Sequence, residues 1–187
     1  GSCWHAVLDA VAIGSTPLVR LRRVVPNGAG EVWLKLESGN PTGSYKDRLA
    51  VAIVRGALER GDIHPGDRLV EYTGGSTGTA LAHIAALVGL RFTAVSSDAF
   101  APVKIRSMAA YGAEVLVEPS DGGAITPELI ARLRERAYAL GAESGSWYTD
   151  QFGNADIRPG YAPMGAEVAD VLGHRLDVVC AGVGTGG

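Results

Sequence analysis

Apolar positions along this chain fall into short blocks that alternate between two spacings. The blocks at 32–37, 68–72, 91–95 and 114–117 are compact and read as buried strands. The apolar positions of 49–58, of Ala80, Leu81, Ile84, Leu87 and Val88, and of 103–111, 126–140 and 164–172 recur at helical spacing. Pro127 sits at the start of the 126–140 helix, where a missing N–H costs nothing. A last apolar block at 177–181 reads as a short strand, and 13–21 as a further apolar strand. Gly122-Gly123 and the segment 144–159 read as mobile loops or a crossing between domains. Repeated strand-helix units with apolar strands predict an α/β fold, with parallel sheets covered by helices on both faces. In such sheets ligands bind at the carboxyl ends of strands, where the glycine-rich segments of this chain fall.

A chain of 187 residues can bury a proper core and makes one domain, or one and a fraction. With 20% charged residues, a net charge of −3 and no basic cluster longer than Arg20-Leu21-Arg22-Arg23, nothing points to nucleic acid or an anionic membrane. No apolar run is long enough to span a bilayer, and no basic-then-apolar leader is visible. Cys3 and Cys180 are far apart and not in a Cys-x-x-Cys pair, which fits a reducing cytoplasm; Cys180, inside an apolar block, reads as a packing residue. The four histidines show no ligand spacing, so no metal site is expected.

Three segments carry chemistry. The first is Asn40-Pro41-Thr42-Gly43-Ser44-Tyr45-Lys46-Asp47-Arg48, a loop running into the 49–58 helix. Ser44 and Asp47 have the spacing of a capping pair, so the helix is expected to start there, with Lys46 in its first turn. The helix dipole disfavours a positive charge at that place, and a neutral lysine amine forms Schiff bases and moves protons. A solvated Lys-Asp-Arg cluster on an ordinary helix is the alternative. The second is the turn Thr73-Gly74-Gly75-Ser76-Thr77-Gly78 between the 68–72 strand and a helix. Its N–H groups and the Thr73, Ser76 and Thr77 hydroxyls suit a carboxylate or phosphate, though a plain flexible connection has the same composition. The third is Gly182-Val183-Gly184-Thr185-Gly186-Gly187, which lets backbone wrap closely around a phosphate.

An amine, a carboxylate seat and a phosphate cradle are the needs of pyridoxal-phosphate chemistry. With these motifs in view, the chain resembles the N-terminal part of the cysteine synthase family, the β-family (fold type II) of pyridoxal-phosphate enzymes. The likeness is carried by Ile13-Gly14-Ser15-Thr16-Pro17-Leu18-Val19-Arg20-Leu21, by Lys35-Leu36-Glu37, and by the residues from Asn40 to Arg48. It continues in the 73–78 turn, in Tyr111-Gly112-Ala113-Glu114, in Gln151-Phe152 and in the terminal glycine loop. These motifs span nearly all of the chain in the family's order and spacing.

The resemblance implies that Lys46 holds pyridoxal 5'-phosphate as an internal aldimine and later moves the substrate's α-proton. It implies that Thr73, Gly74, Gly75, Ser76 and Thr77 form the substrate-carboxylate loop, with Gln151 beside it. Ser76 stands where the family places a cofactor-binding asparagine, and Gly184, Thr185, Gly186 and Gly187 match most of the cofactor-phosphate loop. The turn departs from the family's usual Thr-Ser-Gly-Asn-Thr-Gly at Gly74 and Ser76, and Pro41-Thr42 leans toward relatives such as threonine synthases. Three parts are implied: 1–44 contributing to a larger domain, 45–150 a smaller α/β domain, and 151–187 the start of the larger cofactor-binding domain, which is left incomplete in this chain. A polypeptide ending at Gly187 would on this view hold the cofactor weakly and be inert alone.

The activity so implied is β-replacement on an activated serine, such as O-acetylserine plus sulfide to cysteine, in a cytoplasmic enzyme that is a homodimer when full length. Partners would be a small amino acid and a small nucleophile. β-Elimination, threonine-synthase-like chemistry, and a non-catalytic binder with the same fold are the alternatives.

Overall fold

A computed structural model describes residues 3–186. Four parallel strands make the central sheet: β3 (Arg68–Tyr72), β4 (Arg91–Ser97), β5 (Glu114–Glu118) and β6 (Ser146–Tyr148), in the order β5-β4-β3-β6. Period-two alternation sends Leu69 to one face of β3 and Val70 and Tyr72 to the other. On the Leu69 face lies the larger core. It is built with α1 (Cys3–Ala10), α2 (Lys46–Arg60), α3 (Ser76–Val88) and α4 (Pro102–Ala110), through Leu8, Val54, Leu81, Ile84 and Met108. On the other face Val70, Tyr72 and Val95 pack on Leu129, Leu133 and Ala137 of α5 (Pro127–Gly141). The α/β architecture with helices on both faces is therefore present. Thr126 caps α5 by accepting from Leu129 N at 3.2 Å. No helix among the described residues is long and apolar enough to cross a membrane.

Five expectations need correction. The 13–21 segment is strand only over residues 18–20, with 13–17 outside any regular element. The 177–181 block is not a strand: Val178 and Val179 are 79% and 76% exposed, because apolarity makes a strand only where a neighbour satisfies its backbone. Cys180 is accordingly exposed rather than packed. The 32–37 strand shrinks to β2 (Trp33–Lys35), which is half-buried or exposed and pairs antiparallel only with β1 (Leu18–Arg20). The segment 144–159 is not one loop. It holds β6 and the start of α6 (Ile157–Leu172), whose Ile157 and Tyr161 pack on Leu49 and Ile53 of α2. Three residues of β6 are too few to show a period, and Pro159 and Pro163 hide a helix that tertiary packing holds. Helix α1 had no reading in the sequence.

Helix α2 begins where the Ser44/Asp47 pair was placed, but by another device. Ser44 Oγ accepts from Lys46 N at 3.1 Å, while Asp47 turns its carboxylate back to Thr42 N at 2.8 Å and Thr42 Oγ1 at 2.6 Å. Because α2 hands the chain to the start of β3 and α3 leaves its end, both helices run against the strands. Their N-termini therefore lie at the carboxyl edge of the sheet.

Candidate active site

Lys46 is 6% exposed at the first position of α2. Its Nζ donates to Thr185 Oγ1 at 2.8 Å, which brings the lysine to the terminal glycine loop 139 residues away. The Tyr45 and Tyr161 rings lie with centroids 5.0 and 5.9 Å from Nζ. Burial lowers its pKa, so the ammonium is disfavoured by desolvation. The other two lysines are differently engaged. Lys35 is ion-paired with Glu167, and Lys104 Nζ donates to Ser76 Oγ at 3.4 Å. The solvated-cluster reading fails, since Lys46, Asp47 and Arg48 are all buried.

The loop ahead of Lys46 is braced on its other side. Asn40 Oδ1 accepts from Gly14 N at 2.8 Å and its Nδ2 donates to Glu37 Oε2 at 2.8 Å. Arg48, 3% exposed, forks between Glu37 and Glu167, which raises its own pKa further and holds the Glu167 carboxyl at about 2. This cluster ties the 14–40 segment, α2 and α6 together under the lysine.

In the 73–78 turn, Thr73 Oγ1 accepts from Gly75 N and Gly78 N, both at 3.2 Å, and so closes the turn on itself. The Ser76 and Thr77 N–H groups have no acceptor among the described residues, as the first turn of a helix requires. Thr77 is not the free donor expected of it: its hydroxyl donates to Gln151 Oε1 at 2.7 Å. Gln151, buried, also donates Nε2 to Tyr72 O at 2.8 Å. The structure thus places Gln151 against the turn. Gly184 and Gly186 flank Thr185 in open backbone, and Gly187 lies outside the described residues.

Three contributors escaped the sequence reading. A Cβ at Gly74 would lie 2.4 Å from Phe100 Cδ1, so the absent side chain is replaced in space by a ring from the turn between β4 and α4. Lys104 supplies a cation to Ser76 from the first turn of α4. Glu71, fully buried beneath the turn, binds the Gln151 N–H. The pairing of a small residue with a large one across space leaves no local signal, although a glycine in a helix-opening turn is a hint of close approach.

A buried lysine that, among the described residues, bonds a hydroxyl rather than an acid, beside an open glycine loop, suits an aldehyde cofactor bearing a phosphate. The comparisons agree. The chain belongs to the family described as pyridoxal-phosphate dependent enzyme, whose model matches residues 10–187. Over 176 residues it is 39% identical to cysteine synthase B of Escherichia coli (strain K12), covering 94% of this chain and 56% of that protein. It is 38% identical over 187 residues to O-ureido-L-serine synthase of Streptomyces lavendulae, covering 98% of this chain and 55% of that one. The solved O-acetylserine dependent cystathionine beta-synthase from Helicobacter pylori superposes with a TM-score of 0.83 at 31% identity, over 96% of this chain and 57% of that chain. The fold is that of the fold type II enzymes, and pyridoxal 5'-phosphate is the cofactor the family uses. The chain spans about half the length of the curated relatives it matches.

Proposed function

We propose that the full-length protein catalyses pyridoxal-phosphate-dependent β-replacement on an activated serine, with O-acetylserine and sulfide giving cysteine and acetate. The observation that carries this reading is the desolvated Lys46 amine hydrogen-bonded to Thr185 of the glycine loop. When bound, the cofactor supplies an electron sink for the pair left at Cα. Lys46 would hold the cofactor and, once the substrate amine has displaced it, would take the α-proton and later return it to Cα, with acetate leaving Cβ and sulfide adding there in between. Gly184, Thr185, Gly186 and Gly187 would hold the phosphate, and Ser76 would bind the ring. Thr73, Gly74, Gly75, Ser76 and Thr77, with Gln151 behind them, hold the amino-acid carboxylate through N–H groups at the start of α3. Similarity to enzymes named for cysteine and O-ureido-L-serine synthesis supports the activated-serine class.

The same reading makes 45–150 the smaller domain, with 1–44 and 151–187 parts of the larger one, in a cytoplasmic homodimer. Borohydride reduction of the holoprotein followed by peptide mapping tests it. Label is expected on Lys46, and label on Lys35 or Lys104 alone would sink the assignment. Cysteine formation from O-acetylserine and sulfide, against release of pyruvate without sulfide, separates replacement from elimination.

A further inference from the structure

Glu71 is a buried acid that the chemistry above does not use. It lies on β3, with Ala94 of β4 as its register partner, and is fully buried. No basic side chain bonds it among the described residues. Its oxygens serve three donors instead: Thr149 Oγ1 at 2.6 Å and Gln151 N at 2.9 Å on Oε2, and Tyr72 N at 3.1 Å on Oε1. An apolar residue would fill a central strand at less cost, because a buried carboxylate loses its hydration.

What the carboxylate secures is the exit of the chain from β6. The ladder between β3 and β6 runs through Tyr148 and ends with Thr149 N on Val70 O at 3.0 Å. Asp150 then takes φ +52°, a left-handed conformation that strains a residue with a side chain. Gln151, the next residue, has no strand carbonyl to bind, and its N–H goes to Glu71. Beyond that point the Gln151 amide spans Tyr72 O and Thr77 Oγ1, so a continuous hydrogen-bonded path joins Glu71 to the turn.

We infer that Glu71 is a positioning residue for the amino-acid site: it fixes the Gln151 backbone past the Asp150 bend, and Gln151 in turn fixes Thr77 where the turn receives the substrate carboxylate. This rests on the carboxylate role proposed for the turn.

The test uses full-length holoprotein and L-alanine, an amino acid with no β-leaving group, followed by the change it causes in the cofactor's visible absorbance. Glu71→Ala is expected to raise the half-saturating L-alanine concentration about tenfold or more, the scale of leaving one buried N–H without its acceptor, with cofactor content unchanged. Glu71→Gln should stay within about threefold of wild type, because its amide oxygen can keep the Thr149 and Gln151 bonds at the expense of Tyr72 N–H. Should Glu71→Ala yield no folded protein, Thr149→Val carries the test with an expected rise of about threefold from one weakened partner. An unchanged half-saturation overturns the inference, as does parallel loss of cofactor and L-alanine binding, which marks a merely structural residue. A wild-type holoprotein indifferent to L-alanine removes the turn's proposed role, and this inference with it.

Discussion

Restoring a serine at position 74 should destabilise this protein, and the structure says by what route. An ideal Cβ on Gly74 sits 2.4, 2.5 and 2.7 Å from Phe100 Cδ1, Cε1 and Cγ, whereas carbon atoms prefer about 3.5–4.0 Å. Gly74 does not have a left-handed backbone, so the conflict is between side chains alone. The ring cannot yield freely, because it packs on the cluster of Val70, Tyr72, Val95 and Leu133 while the Phe100 backbone N–H is held by Ser97 O at 3.1 Å. Overpacking of this kind costs about 1–3 kcal/mol. Phe100→Ala alone should cost about 2–4 kcal/mol, somewhat below the value for a fully buried phenylalanine, since the ring is only partly exposed.

In the double variant the clash has no partner, so Gly74→Ser should then be nearly free. A double-mutant cycle by urea unfolding, with m-values checked for constancy, should therefore return a favourable coupling of about 1–3 kcal/mol. Additivity within about 0.5 kcal/mol would refute the argument that Phe100 occupies the place of the missing side chain. The same four proteins titrated with L-alanine would show whether the ring also shapes the amino-acid site.

Arg48→Met should destabilise by about 3–5 kcal/mol in urea, because it strands Glu37 and Glu167 beside a buried gap; a loss below about 1 kcal/mol would contradict a structural role for the fork. Thr77→Val leaves buried Gln151 Oε1 without its donor, a cost of about 1–3 kcal/mol, and should weaken L-alanine binding while cofactor content holds. Equal loss of both would point to a structural turn. Burial pushes the Glu71 carboxyl up to about 7, against the hydrogen bonds from Thr149, Gln151 and Tyr72. The folded state then keeps a proton that the unfolded chain releases above its own value near 4.5, so stability should fall as pH rises from there to about 7 and level off beyond it. Urea midpoints across that window should show this slope for wild type and lose it in Glu71→Gln.

Much of the sheet was legible because β3, β4 and β5 are apolar blocks separated by helices of ordinary length. Their alternation recurs often enough to outweigh local ambiguity. The 177–181 block misled for a physical reason: a run of apolar residues states a preference for burial, and what buries it is a matter of the rest of the fold. Lys46 was legible because a lysine between a Gly-Ser-Tyr loop and a helix is a local arrangement. The cause of its lowered pKa was less so, since the helix dipole was the sequence argument and desolvation is the effect the structure resolves. Glu71 was hidden by its own pattern. In Arg-Leu-Val-Glu-Tyr a glutamate reads as a strand's polar position, and only the arrival of Thr149 and Gln151, just past the end of β6, shows it to be interior.

Three successive charged residues at the head of α2 are buried together, and their separation explains how one of them stays reactive. A helix turns about 100° per residue, so Lys46, Asp47 and Arg48 leave the axis in different directions. Arg48 is consumed by Glu37 and Glu167, and Asp47 by Thr42, which leaves none of these three acids bonded to Lys46. Asp47 is the decisive neighbour. A carboxylate hydrogen-bonded to Nζ would favour the ammonium and cancel the effect of burial. Turned back on Thr42, it stabilises the loop and leaves the lysine, among the described residues, facing the Thr185 hydroxyl and two tyrosine rings. The charge cluster that looks in sequence like a solvated helix cap is, in the folded chain, the means of burying one amine while Asp47, Glu37 and Glu167 are bonded elsewhere, at the edge where the glycine loop arrives.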